Sequence, residues 1–251
     1  VNSAGLCIAP EKIQKIPPWK YLGWRIRAQT TIPQPLQIQT DIKNLRDVQK
    51  LLGTINWVRL ILGISNADLG ALFESLKGNT DLRSPCSLGP EAIASLQKVA
   101  TAIPHRQVHR WAPELPFSLI ILNPVRQPHA LVFQKSDPLL IIEWVFLSNQ
   151  PTKTILTQHE MFSFLIIKAR QRLITLSGVD FANIYLLVTN MYLQWLYQQS
   201  DTFSLALAGY TGQLTSHSPS LKLLNADFHL VSRPKRSDQP LQALTVFTDG
   251  S

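Results

Sequence analysis

Residues 45–62 read LRDVQKLLGTINWVRLIL, and they set the architecture of the first part of the chain. At about 100° per residue, Leu45, Val48, Leu51, Leu52, Ile55 and Val58 fall in one arc, the pattern of a helix with a buried stripe. The helical period begins near Asp41, and Gly63 is the expected stop. Gln49, Gly53 and Trp57 stand at i, i+4 and i+8 on a different face, with Arg46 and Lys50 beside them. A glycine inside a helix costs about 1 kcal/mol against alanine. Two readings account for it. Either Gly53 admits a neighbouring helix and Trp57 is core, or an amide, a bare backbone and a flat indole flanked by cations face a nucleic-acid groove.

Working outward, PPWKYLGWRI (17–26) suits a β-hairpin centred on Gly23. AQTTIPQPLQIQT (28–40) reads as a proline-containing linker. Further helices are expected over Asn66–Leu76 and about Pro90–Ile103, the latter with Pro90 in its first turn and Ser87 or Gly89 near the cap. These make a small helical bundle after the hairpin. APELP (112–116) marks a change of period. FSLIILNP, HALVFQKS and LLIIEWVFL are three runs of strand length. A long amphipathic segment follows over 158–176, then the short apolar run ANIYLLV (182–188), then a helix over about 189–199. That order predicts an α/β layer with a mixed sheet. LVSRPKRSDQPLQ (230–242) reads as a basic linker leading to ALTVFTDGS (243–251), the first strand of a further domain.

The 251 residues carry 45% hydrophobic and 16% charged side chains, a globular balance. No apolar run reaches the ~18 residues of a membrane span, so no membrane partner is expected. The start has neither the pattern of a signal peptide nor an initiator Met, and suggests a processed product or a piece of a longer chain. Cys7 and Cys86 read as free thiols of a reducing compartment. Residues 1–60 hold nine basic and three acidic side chains, so +6 of the net +8 lies there. A basic end on a nearly neutral body suggests a surface facing a polyanion, the alternative being a solvated basic face.

Together APEKIQKIPPWKYLGW (9–24) and VQKLLGTINW (48–57) resemble retroviral reverse transcriptases, especially endogenous, betaretrovirus-like elements. LFESLKGNTDLRS, LGPEA and IEWVFL extend the resemblance, which reaches ALTVFTDGS at the C-terminus. It implies a multi-subdomain α+β / α/β fold: a palm end with the primer grip over 1–27, a helical thumb over 28–110, an RNase H-like connection subdomain with a mixed sheet over 111–232, and a linker with the first RNase H strand over 233–251. It also implies that Tyr21, Leu22, Gly23 and Trp24 position a primer terminus. Gln49, Gly53 and Trp57 would track the minor groove of an RNA–DNA or DNA template–primer duplex, with Arg46 and Lys50 beside them. Subunit pairing through thumb and connection is a further implied partner role.

In the intact family polymerisation uses Mg2+ held by aspartates, including a Tyr-X-Asp-Asp turn. The given sequence holds no Asp-Asp pair. Asp249 matches the first of four RNase H carboxylates, and one carboxylate cannot assemble a two-metal site. The expectation is a catalytically incomplete fragment that binds no cofactor of its own. Asn123, in the first strand of the 111–232 segment, stands where TVFTDG carries aspartate, as in a degenerate scaffold copy. A decayed or domesticated element serving as a protein scaffold is the alternative. Ser3, Ser163 and the six histidines suggest no triad. His105 and His109 are spaced i, i+4, but Pro104 and the missing third ligand argue against a metal pair. Tyr192, Trp195 and Tyr197 are expected in the core, and RPKR (233–236) as a solvated linker.

Overall fold

The computed structural model describes residues 9–34, 41–77, 81–122, 128–137, 139–147 and 156–216. Cys7, Asn123, RPKR (233–236), Asp249 and the expected border at 232/233 lie outside these residues.

A 3-10 turn at Pro10–Lys12 leads into the strands β1 (Trp19–Tyr21), β2 (Trp24–Ile26) and β3 (Thr30–Pro33). With β4 (Val108–His109) they form one antiparallel sheet in the order β1-β2-β3-β4. The expected linker is therefore part strand. Thr30 and Thr31 pair with His109 and Val108, and the Arg110 N–H donates to Gln29 O at 2.8 Å. Pro33 stands at the strand's end opposite Trp24, a place where its missing N–H is tolerated. The hairpin and the helical bundle thus share a sheet across residues 27 and 28.

Helix α1 spans Leu45–Leu62. Its start is fixed by a reciprocal cap: the Asp47 N–H donates to Asn44 Oδ1 at 3.1 Å and the Asn44 N–H to Asp47 Oδ2 at 3.3 Å. It ends at Gly63, which is left-handed at φ 62 and donates its N–H to Arg59 O at 2.8 Å. All six residues of the expected stripe are buried, joined by Leu62 and Arg59. They pack with α2 (Gly70–Glu74) and α3 (Pro90–His105) through Leu69, Leu72, Ala92, Leu96 and Val99. The second helix is shorter than expected because Asp68 turns back to cap Ser65, whose N–H and Oγ–H both donate to Asp68 Oδ2. His105 closes α3 while His109 lies in β4, so the two share no helix.

The second unit is a five-stranded mixed sheet in the order β7-β6-β5-β8-β9. Its strands are β5 (Phe117–Leu122), β6 (His129–Gln134), β7 (Leu140–Phe146), β8 (Asn183–Leu186) and β9 (Gln213–Thr215). The first three form an antiparallel meander, while β8 is parallel to β5 and β9 to β8. Helices α4 (Gln158–Ser177), α5 (Asn190–Gln199) and α6 (Asp201–Ala206) join one face of this sheet in a core of Leu119, Ile121, Val132, Phe162, Leu165, Leu173, Leu196 and Phe203. The opposite face carries Ile120, Leu122, Leu131, Phe133, Tyr185 and Leu187, so β5 is buried on both sides and reads as an unbroken apolar run. On α4, Arg170 grips Asp180 Oδ2 at 3.0 and 2.8 Å and also donates to Ala206 O at 2.6 Å. The expected strand–strand–strand–helix–strand–helix order is present. Helix α6 and strand β9 extend it.

The aromatic residues of α5 differ from expectation. Leu196 is its buried residue, while Trp195 and Tyr197 are exposed. Tyr192 stacks on Trp195 at 5.5 Å and His159 meets the same ring edge-on. A helix packed along one narrow stripe has room for Leu196 inside and leaves wide rings on its flank.

The end of α1 docks on β7. A Cβ at Gly63 would stand 2.6 Å from Trp144 Cε2, far inside contact distance. Gly178 is also left-handed, at φ 75, but a Cβ there would meet nothing within 4 Å. Gly178→Ala should therefore cost only backbone strain, about 1–2 kcal/mol. Gly63→Ala should cost at least about 1 kcal/mol more, because it adds overpacking against Trp144. Urea denaturation of the two variants checks this; equal losses would show that Trp144 moves aside freely.

Candidate nucleic-acid interface

The hairpin turn is the two-residue kind with both residues left-handed, Leu22 at φ 44 and Gly23 at φ 84 between the paired Tyr21 and Trp24. Such a turn matches the strand twist but places a leucine where glycine or asparagine is usual. Several bonds hold it. The Gln34 N–H donates to Gly23 O at 2.8 Å, and Gln34 Nε2 to Trp24 O at 3.1 Å. Gln14 brackets Lys20, donating to its carbonyl at 2.7 Å and accepting from its N–H at 2.6 Å. From α1, Trp57 Nε1–H donates to Leu22 O at 2.8 Å. The Trp57 and Trp24 rings stack at 6.0 Å and 24°.

The two expected clusters are therefore one. Tyr21 and Leu22 form an exposed apolar tip, 62% and 60% accessible, and Gly23 and Trp24 lie against Trp57. Along the same helix Arg46, Gln49, Lys50 and Gly53 are exposed. Trp57 is 49% exposed, its remaining surface lying against the hairpin. Arg46 to Trp57 spans about 16 Å of helix. Among the described residues neither Arg46 nor Lys50 has a carboxylate partner. A Cβ at Gly53 would meet nothing within 4 Å, so among the described residues no neighbouring helix explains this glycine. Of the two readings of Gly53 and Trp57, packing of a second helix is the one the geometry rejects.

Sequence reasoning missed the residue that anchors this helix from behind. Arg59 is 6% exposed. Its guanidinium lies 4.4 Å from the Phe146 ring and donates to Asn66 Oδ1 at 2.6 Å, while Asn66 Nδ2 donates to Leu147 O at 3.2 Å. Burial lowers its pKa from the usual arginine value to about 10, so it is still a cation at neutral pH. On α4, Lys168 Nζ donates to Phe146 O at 2.6 Å, and burial, with Arg59 nearby, lowers its pKa. The available signal was position: Arg59 is in register with Leu52, Ile55 and Leu62 on the buried stripe. Glu143 on β7 pairs with Arg172, yet burial outweighs that pairing and raises its pKa.

Residues 33–97 match the family described as "Reverse transcriptase thumb domain", and residues 125–224 match "ERVK-8-like, RNaseH-like domain". The Gag-Pro-Pol polyprotein of Simian retrovirus SRV-2 is 37% identical over 255 residues, covering 100% of this chain. That of Sheep pulmonary adenomatosis virus is 38% identical over 98% of the chain, and that of Mason-Pfizer monkey virus 36% identical over 100%. The chain belongs to the retroviral reverse transcriptase family. It is a thumb and RNase H-like segment of Pol polyprotein type, and it spans 14% of the length of the curated relatives it matches. The reading as a domesticated scaffold is not favoured. Thumb and RNase H-like domains bind nucleic acid in general, and among the described residues no helix is long and apolar enough to cross a membrane.

Because a Cβ at Gly53 would meet nothing within 4 Å, Gly53→Ala in this reverse-transcriptase segment should raise the stability of the free chain by about 0.5–1 kcal/mol. Thermal or urea melts measure it. A loss of stability would show that the glycine serves packing after all.

Proposed function

We propose that this chain grips a template–primer duplex of the RNA–DNA or DNA kind along the exposed face of α1, with the hairpin tip seated at the primer terminus. The observation that carries the reading is Gly53. It is a solvent-facing glycine in mid-helix where an added Cβ would meet nothing within 4 Å, so the described residues give no packing reason to accept its cost. A backbone that must come within van der Waals distance of a sugar edge supplies the reason. Gln49 stands one turn before it to donate or accept at a base edge, and Arg46 and Lys50 flank it to meet phosphates. Trp57 and the residues Tyr21 to Trp24 complete the surface.

The divalent ion of the intact family does not fit the described residues, among which no three His, Cys, Asp or Glu side chains converge. Asp249, the candidate ligand, lies outside them. The role proposed for this segment is grip and alignment of the duplex. Subunit pairing through the thumb or RNase H-like unit is the other proposed partner role, and size exclusion run beside the binding assay reports it.

Binding should be largely independent of sequence and sensitive to salt. Two phosphate contacts, from Arg46 and Lys50, give a slope near −2 in log K against log salt, or about tenfold weaker binding at 200 than at 50 mM. Fluorescence anisotropy with a hybrid duplex tests this. Gly53→Ala should weaken binding while raising stability. Affinity unchanged by salt, or by Gly53→Ala, contradicts the reading.

A further inference from the structure

Residues 12–40 carry five cations, Lys12, Lys15, Lys20, Arg25 and Arg27, and no carboxylate. The strand register brings three of them together. Lys20 stands opposite Arg25 and Arg25 opposite Ile32, so these side chains form one row across β1, β2 and β3 on a single face. Arg27, two residues beyond Arg25, falls on the same face. Its N–H donates to Thr30 O at 2.8 Å, and Thr30 pairs with His109 to complete a second row. The other face of the sheet belongs to the helical bundle. It carries Trp24, which stacks on Trp57, and the buried Pro33 and Val108. The cation rows therefore look away from α1, with Lys20 and Arg27 exposed and Arg25 half-buried. Lys20 commits both its N–H and its carbonyl to the side chain of Gln14, at 2.6 and 2.7 Å. Its pair with Arg25 is thus the non-hydrogen-bonded kind, in which cross-strand side chains stand closest. Like charges so placed destabilise a hairpin. Among the described residues none of the three cations has a carboxylate partner or a side-chain hydrogen bond to offset this.

We propose that this outer face of the small sheet is a second nucleic-acid site, separate from the exposed face of α1, and that it takes a single strand. A phosphate backbone laid over Lys20, Arg25 and Arg27 relieves their repulsion, and two of the three are arginines, whose planar forks suit phosphate. The patch is small: three strands span about 10 Å and its two rows stand about 7 Å apart, room for one backbone. Ile32 beside Arg25 and the guanidinium planes of Arg25 and Arg27 offer surface to the face of an unpaired base, which a duplex keeps stacked inside. Thumb and RNase H-like domains bind nucleic acid in general, which favours a nucleic acid over an acidic polypeptide as the occupant. The site shares no side chain with the duplex surface of α1 and the hairpin tip, and does not depend on that reading.

Fluorescence anisotropy of the full chain with a short oligothymidylate tests this, beside a hybrid duplex closed by loops at both ends. Three contacts to a single strand give a slope near −2 in log K against log salt, about twentyfold weaker binding at 200 than at 50 mM. Arg25→Glu turns the repelling pair into an attracting one, so its melting temperature should hold or rise. It leaves a net single cation on the face, so the single-strand slope should drop to about −0.7, or about threefold over the same salt range. Its affinity for the closed duplex should change far less. Lys20→Gln removes the repulsion without adding a charge and should bring the slope to about −1.4. The proposal is overturned if Arg25→Glu keeps the slope near −2, if it weakens duplex as much as single strand, or if polyglutamate displaces the oligothymidylate as well as unlabelled oligothymidylate does. Lower melting temperatures in both variants would overturn its premise, that the cation pair costs the fold. Should the duplex probe fail to bind, the reading of α1 fails, and the single-strand slopes still decide this one.

Discussion

Two residues of α1, Trp57 and Arg59, hold the molecule's parts together in opposite directions. Two positions apart on a helix is a rotation of about 200°, so their side chains leave on nearly opposite sides. Trp57 reaches forward to the turn of the β1–β2 hairpin. Arg59 reaches back to Asn66 and to the ring of Phe146 at the end of β7. One turn of helix thereby fixes the hairpin, the bundle and the mixed sheet with respect to one another. Gly63 and Trp144 close the rear contact with a fit that leaves no space for a side chain. The front face of α1 is left free because everything that binds the helix into the fold lies behind it or at one end.

The Arg59 contact is a device of specificity more than of stability. Burial lowers its pKa from the usual arginine value to about 10, the direction expected when a cation gives up solvation. The returns are one charge-assisted hydrogen bond, worth about 1.5–3 kcal/mol, and a cation–π contact of about 2 kcal/mol at most. These roughly cancel the desolvation, as is common for buried charges. What the arrangement does achieve is a single docking geometry. Arg59 finds its acceptor only when Asn66 is held by Leu147 O, so a shifted α1 would strand a buried charge. A leucine at position 59 would pack in many orientations, and the exposed face of α1 would then have no fixed relation to the sheet.

The elements whose signals are local were legible in the sequence. The stripe of α1, its stop at Gly63, the start of α3 at Pro90, the three strand runs and the 158–176 helix follow from periodicity and punctuation, and each lies where those rules put it. The elements that were missed depend on distant partners. Thr30 and Thr31 became a strand because residues 108 and 109 came to pair with them, and no local pattern encodes that. The burial of Arg59 depends on Phe146, 87 positions away in the chain, and the exposure of Trp195 depends on which stripe of α5 the sheet accepts. The candidate site divides in the same way. The i, i+4, i+8 spacing placed Gln49, Gly53 and Trp57 on one face, but only the fold could reveal that Trp57 is already in use.

Charge counting needs the same correction from geometry. The excess of +6 over residues 1–60 treats every cation as surface. Arg59 is inside, and Lys43 faces Asp41 at 3.0 Å. On the outward face of α1 the effective cations are then Arg46 and Lys50, one turn apart and, among the described residues, without a carboxylate partner. Like charges at that spacing slightly destabilise an isolated helix. Together with an unsupported glycine three residues beyond Lys50, they make the solvent side of α1 locally costly, while its buried side follows the apolar pattern everywhere except at Arg59. On the proposed reading, a ladder of phosphates with a groove between them would relieve both the repulsion and the gap.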